Sequence, residues 1–170
     1  MSASGGADAD DREFEMLYAA AWSPVYRYSL TLVRDLDDAA DVAAETFRRA
    51  FVAWRAGKGA VAEPLPWLFL TARRIVVDRE RRNRLVRWLP LTNAAADAAD
   101  NPLSRTELWL WFRQLCEALP DRQREALVLR YGFDMSDEDI GRLIGVSPAG
   151  VHTLVSRALS RLRAQPEIFE

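Results

Sequence analysis

The sequence predicts an all-α protein: two small helical domains joined by a flexible linker, the C-terminal one containing a helix-turn-helix. Three observations carry this. Apolar residues recur with helical period in almost every segment, and no strand-like alternation of any length occurs. An Ala-rich stretch without clear amphipathicity, carrying Asn101-Pro102, divides the chain over residues 89–106. Residues 134–163 then hold two short helical patterns around a Gly-centred turn. With 49% apolar residues in 170, there is material for a core in one domain or two.

Taken in order, residues 1–12 are small and acidic and are expected to form a disordered arm. The first domain is placed at 13–88. From Phe14 onward Leu17, Tyr18, Ala21 and Trp22 recur at helical spacing. Pro24 is positioned to open a second helix, on which Val25, Tyr28 and Leu32 repeat the pattern. "DLDDAADVAAETFRRAFVAW" begins with acids, which suit the positive end of a helix dipole, above a core of Val42, Phe47 and Phe51. "RAGKGAVAEPLP", with two Gly and two Pro, reads as a loop. "PWLFLTARRIVVDRERRNRLVR" resumes with Leu68, Ala72 and Ile75 inward and arginines outward at its far end.

The second domain is placed at 107–170, after the linker. Leu108, Trp111, Leu115 and Leu119 share one stripe, and Ala126, Leu127 and Leu129 follow before Gly132 ends the next helix. Ser136 with Asp139 makes a capping-box arrangement ahead of Ile140, Leu143 and Ile144. Gly145 stands where the chain must reverse, Ser147 is an N-cap and Pro148 a first helical residue. The last helix has a core stripe of Val151, Leu154, Val155, Ala158 and Leu162. Its opposite face exposes Ala149, Thr153, Ser156 and Ser160, flanked by His152 and Arg157.

Several classes are set aside. One cysteine, Cys116, and one histidine, His152, give no disulfide framework and no zinc site from this chain alone. Neither a Gly-rich phosphate loop nor a paired acid site stands out, so no catalytic residue, metal, cofactor or small-molecule substrate is expected. The start lacks a basic region followed by an apolar run, and no stretch approaches about 20 apolar residues. The reading is a cytoplasmic, soluble protein with no membrane partner.

The formal net charge of −2 conceals an uneven distribution. Residues 64–88 carry seven Arg against two acids, and Lys58 is the only lysine in the chain. Arg binds phosphate through a planar fork and stacks on bases, so this cluster suggests a nucleic-acid surface, with a solvated helix face as the alternative. The last helix is different. No Arg, Lys, Asn or Gln sits at the centre of its exposed face, where those side chains usually read guanine and adenine.

Two stretches together carry a family resemblance. "LPDRQREALVLRYGFDMSDEDIGRLIGVSPAGVHTLVSRALSRLR" resembles the promoter-reading C-terminal domain of bacterial RNA polymerase sigma factors of the extracytoplasmic-function (ECF) group. "VYRYSLTLVRDLDDAADVAAETFRRAFVAW" followed by "PWLFLTARRIVVDRERRNR" resembles the N-terminal domain of the same group. The resemblance covers about residues 14–88 and 108–163, in the right order, and leaves no room for the third domain of larger sigma factors.

The resemblance implies a protein that rides on RNA polymerase core and directs initiation at promoter DNA, which accounts for a nearly neutral chain. It implies that the helix bearing Asp37, Asp38, Asp41, Glu45, Thr46 and Phe47 docks on the polymerase clamp. It makes Arg73, Arg74, Arg79, Arg81, Arg82 and Arg84 candidates for holding the melted minus-ten strand, with Trp67, Phe69 and Trp88 as aromatic candidates for support or stacking. Ser147, Ala149, His152, Thr153, Ser156, Arg157 and Arg161 become the candidates for the minus-thirty-five element. An anti-sigma protein is a further candidate partner.

Two departures stand out. Arg73-Arg74 replaces a common Arg-Asn pair, and His152, Thr153 and Leu154 replace a basic residue, a small one and Arg. The expectation is reduced or unusual minus-thirty-five recognition. Two other functions stay open on the residues alone: a stand-alone helix-turn-helix regulator, and a sigma-like polymerase-binding protein that reads no promoter.

Overall fold

The computed structural model describes residues 4–58, 63–86, 115 and 117–164. The linker over 89–106, Trp88, Leu108, Trp111, Cys116 and the tail with Ile168 and Phe169 lie outside the described residues, as does the side chain of Arg84. Among the described residues the elements are α1 (Ser4–Val33), α2 (Leu36–Ala53), a π turn (Trp54–Lys58), α3 (Pro64–Val86), α4 (Asp121–Gly132), α5 (Asp137–Ile144) and α6 (Pro148–Arg163), with no strand.

Two expectations about α1 are corrected. Residues 4–12, expected as part of a disordered arm, extend the helix. Phe14 packs edge-on against Phe51 and Trp54 at 5.1 and 5.9 Å, and Asp11 pairs with Arg55 at 2.9 Å. Once such contacts hold a helix, each added residue contributes a hydrogen bond without a new nucleation cost. Pro24, expected to open a second helix, instead sits inside α1. Ala21, Val25 and Tyr28 are all buried on one stripe, and their packing outweighs the missing Pro24 donor.

Arg34, in the left-handed region at φ 62°, ends α1 with its N–H on the Leu30 carbonyl at 2.9 Å. Asp35 then caps α2, one carboxylate oxygen accepting from the amides of Asp37 and Asp38, each at 2.9 Å. α2 buries Ala39, Val42, Ala43, Phe47 and Ala50 against α1 and α3, and α3 contributes Leu68, Phe69, Ala72 and Ile75.

The C-terminal unit forms around α4, which packs on α5 and α6, with Ala126, Leu129, Ile140, Ile144, Val151 and Val155 all buried in the core. The two units are packed together: α4 lies on α1, and α5 approaches α3. Phe133, just past α4, sets its ring edge-on against Phe69 at 4.8 Å and Tyr28 at 6.4 Å, under the Arg27 guanidinium at 5.3 Å.

Candidate nucleic-acid interface

The helix-turn-helix is built as the sequence expects. Ser136 caps α5 by accepting from the Asp139 amide at 3.1 Å, and Ser147 caps α6 by accepting from the Gly150 amide at 3.1 Å. Gly145 takes φ 74°, and the amides of Gly145 and Val146 both donate to the Gly141 carbonyl, at 2.9 and 3.0 Å. The turn folds so closely over Gly141 that a Cβ there would lie 2.6 Å from the Val146 oxygen. Nothing in the spacing of apolar residues singled out Gly141.

On α6, Ser147, Ala149, His152, Thr153, Ser156, Arg157, Ser160 and Arg161 are all exposed, while Val151, Val155, Ala158 and Leu162 are buried and Leu154 is half-buried. Thr153 donates its hydroxyl to the Ala149 carbonyl at 2.9 Å, and Ser160 donates to the Ser156 carbonyl at 2.9 Å. With their protons turned into the helix, these two oxygens are left as acceptors. In this arrangement the Thr153 oxygen can meet the amino group of adenine or cytosine but has no proton for a phosphate. Arg157, Arg161 and Arg163 supply donors along the last turns, where positive charge also suits the helix dipole.

At the far end of α3, Arg74, Arg81 and Arg82 are exposed and Arg79 half-exposed, with Arg82 donating to the Asp78 carbonyl at 3.3 Å. Arg73 stands apart from them. Its side chain is 24% exposed, and its Nε donates to Glu125 Oε1 at 3.0 Å. The aromatic candidates also divide: Phe69 is fully buried and Trp67 is packed against the core.

Asp37, Asp38 and Asp41 are exposed on α2. Glu45 is clasped by Arg48 Nε at 2.7 Å and Arg49 Nε at 2.8 Å, hydrogen bonds that bring its carboxyl down to about 2. Phe47, expected on the docking surface, is only 3% exposed and packs on Tyr18 and Trp22 at 4.8 and 5.7 Å. Thr46 is likewise buried, donating to the Val42 carbonyl at 2.7 Å. Phe51, expected in the core, is 41% exposed. The large apolar side chains exposed on α1 and α2 are instead Met16, Tyr18, Phe51 and Val52.

The residues that sequence reasoning missed lie between the units. Glu125 is 5% exposed, and its Oε1 accepts from the Tyr28 hydroxyl at 2.7 Å as well as from Arg73. Burial and the neighbouring carboxylate push the Tyr28 phenol well above its ordinary 10.0. Charged side chains in the middle of "DRQREALVLR" carry no sequence mark that separates buried from solvated ones.

Among the described residues, no group of His, Cys, Asp and Glu could hold a metal ion, and no helix is long and apolar enough to cross a membrane. Two family descriptions match the chain: Sigma-70 region 2 over residues 17–86 and Sigma-70, region 4 over residues 109–162, together most of its length. Among curated relatives, the ECF RNA polymerase sigma factor SigM of Bacillus subtilis is 26% identical over 151 residues, covering 87% of this chain and 91% of that protein. The ECF RNA polymerase sigma factor SigJ of Mycobacterium tuberculosis is 28% identical over 167 residues, covering 92% of this chain but only 51% of SigJ. The fold matches the sigma factor RpoE of Bartonella quintana, solved with the anti-sigma factor NepR, at a TM-score of 0.72 and 21% identity over 93% of this chain and 97% of that one.

Proposed function

The chain belongs to the sigma-70 family, in its ECF group, and from that premise we propose how its surfaces divide the work of promoter-specific initiation on RNA polymerase core. Residues 13–88 bind core and the melted minus-ten strand, residues 89–106 link, and residues 107–170 bind the minus-thirty-five duplex. The observation that carries this reading is the order of the two regions in one chain, with the Arg-rich end in the first and the capped helix-turn-helix in the second.

Asp37, Asp38 and Asp41 meet basic residues of the polymerase clamp, with Glu45 already neutralised in part by its own arginines. Arg74, Arg79, Arg81, Arg82 and Arg84 track the backbone of the separated strand, a role that needs positive charge more than base readout. Arg157 and Arg161 hold duplex phosphates around α6, and Ser147, Ala149, His152, Thr153 and Ser156 give it a short, neutral reading face. α6 therefore positions the protein on a promoter more than it selects one. The protein acts in the cytoplasm, without catalytic chemistry of its own, and an anti-sigma protein is a candidate partner, as NepR is for the similar RpoE.

Transcription start mapping with core polymerase, this protein and a genomic promoter pool tests the reading. Defined starts that require the protein are expected, and substituting His152, Thr153 and Arg157 by Ala should weaken most of them while relocating few. Core binding without any initiation would refute it, and so would tight, specific duplex binding by the protein alone.

A further inference from the structure

We propose that Glu125 is a built-in competitor for the nucleic-acid phosphate: by holding Arg73 and Tyr28 it keeps the free chain closed, and Arg73 withheld from the minus-ten strand, until core polymerase parts the two units. The inference rests on the proposed role of the α3 arginines.

Glu125 Oε1 takes both donors, Tyr28 at 2.7 Å and Arg73 at 3.0 Å, so the carboxylate occupies on Arg73 the place a phosphate oxygen would take. The contact joins the two units, since Tyr28 lies on α1, Arg73 on α3 and Glu125 on α4. It is also suited to release. A buried ion pair gains little over its separated, solvated partners, and opening returns Glu125 to water while freeing Arg73 for an anion. Phe133 adds an apolar plug beside it, against Phe69 and Tyr28.

Geometry requires that the contact break. Elements about 10 and 35 base pairs upstream are roughly 85 Å apart at about 3.4 Å per base pair. A compact chain of this length has a radius of gyration of about 15 Å and cannot reach both. The linker over 89–106 can extend to about 60 Å, so the units can separate to reach both elements once the latch is open.

The test uses the full chain in a Cys116→Ser background. Dyes on Ala44→Cys and Arg163→Cys report unit separation by energy transfer, and oligodeoxythymidine serves as the single-strand probe without polymerase. Glu125→Gln should lower transfer and tighten oligodeoxythymidine binding about tenfold, as for a chain freed from being closed nine-tenths of the time. Adding Arg73→Ala should abolish the gain. Unchanged transfer and binding, or a gain that survives Arg73→Ala, overturns the proposal.

A second variant guards against misfolding. Arg34 and Asp121, whose side chains meet at 3.8 Å across the interface, are replaced by Cys and joined with a reducible cross-linker. Initiation should be lost on cross-linking and return on reduction; undiminished initiation while cross-linked overturns the latch. Failure of the unmodified protein to initiate with core would count against the promoter function instead, leaving transfer and oligodeoxythymidine binding to judge the latch.

Discussion

Arg124 donates from Nε to the Thr31 carbonyl at 3.0 Å, a bond between residues 93 positions apart that fastens α4 to the last turn of α1. The same guanidinium donates to the Leu119 carbonyl at 3.3 Å and to Asp121 Oδ1 at 2.9 Å, and the side chain is 1% exposed. It places positive charge against carbonyls that the helix itself cannot satisfy. Arg124→Met keeps the length but strips these acceptors of their donor, and should cost about 1–2 kcal/mol, because Asp121 is 73% exposed and the carbonyls return to water if the units part. Arg124→Lys should recover only part, since an ammonium cannot replace the planar fork. Urea unfolding measures this, and an Arg124→Met midpoint equal to wild type would refute the assignment.

The hydrogen bond from Tyr28 to Glu125 makes the interface sensitive to alkali. The phenol is raised in the folded protein, so its contribution is fully present below the ordinary 10.0 and is lost as pH climbs past that toward the folded value. A phenolate beside the Glu125 carboxylate would repel it. Unit separation followed by energy transfer should therefore rise above pH 10 in wild type. In Tyr28→Phe the rise should be smaller, because the titrating group is gone; an identical alkaline response in both would exclude Tyr28 as its source.

Most of the fold was legible because it rests on signals the sequence states locally. The caps at Ser136 and Ser147, the turn at Gly145 and the stripe from Val151 to Leu162 are each a residue type at a required spacing. The acid-led start of α2 was legible in the same way. Where two local signals conflict with packing, packing prevails: Pro24 reads as a helix opener, yet buried Ala21 and Val25 on either side keep α1 continuous. Phe47 and Phe51, four positions apart, look alike in sequence, and only the position of α1 decides that one is buried and the other exposed. The interface residues were invisible for a stronger reason. Arg124 and Glu125 are charged, and their burial depends on partners about a hundred positions away.

The exposed acids of α2 and the clasped one should behave differently. Substituting Asp37, Asp38 and Asp41 by Asn should weaken binding to core and reduce its salt dependence, measured by competition against a labelled sigma factor. Glu45→Gln should matter less to core, because its charge is already met by Arg48 and Arg49. Its carboxyl, followed by NMR, should titrate at about 2, so the clasp is intact above the ordinary 4.5 and is lost as pH falls toward 2. Replacing both Arg48 and Arg49 by Ala should return the midpoint toward 4.5, and a midpoint that stayed near 2 would show that another group lowers it.

Two glycines in the helix-turn-helix separate strain from collision. At Gly145 an added Cβ meets nothing within 4 Å, so Gly145→Ala bears only the cost of positive φ, about 1–2 kcal/mol. At Gly141 the backbone is helical, and Ala alone would gain about 1 kcal/mol there. Its Cβ, however, would stand 2.6 Å from the Val146 carbonyl oxygen, a backbone atom held by the turn. The turn must open to admit it, at an overpacking cost of about 1–3 kcal/mol. Opening the turn also displaces Ser147 from the start of α6, so Gly141→Ala should impair minus-thirty-five binding even where the protein stays folded. Gly145→Asn, which tolerates left-handed φ, should restore much of the stability lost in Gly145→Ala. Gly141→Asn should restore none. Thermal unfolding of the four variants, with duplex binding in the presence of core, decides between the two origins; equal rescue by Asn at both sites would show that conformation, not collision, governs Gly141.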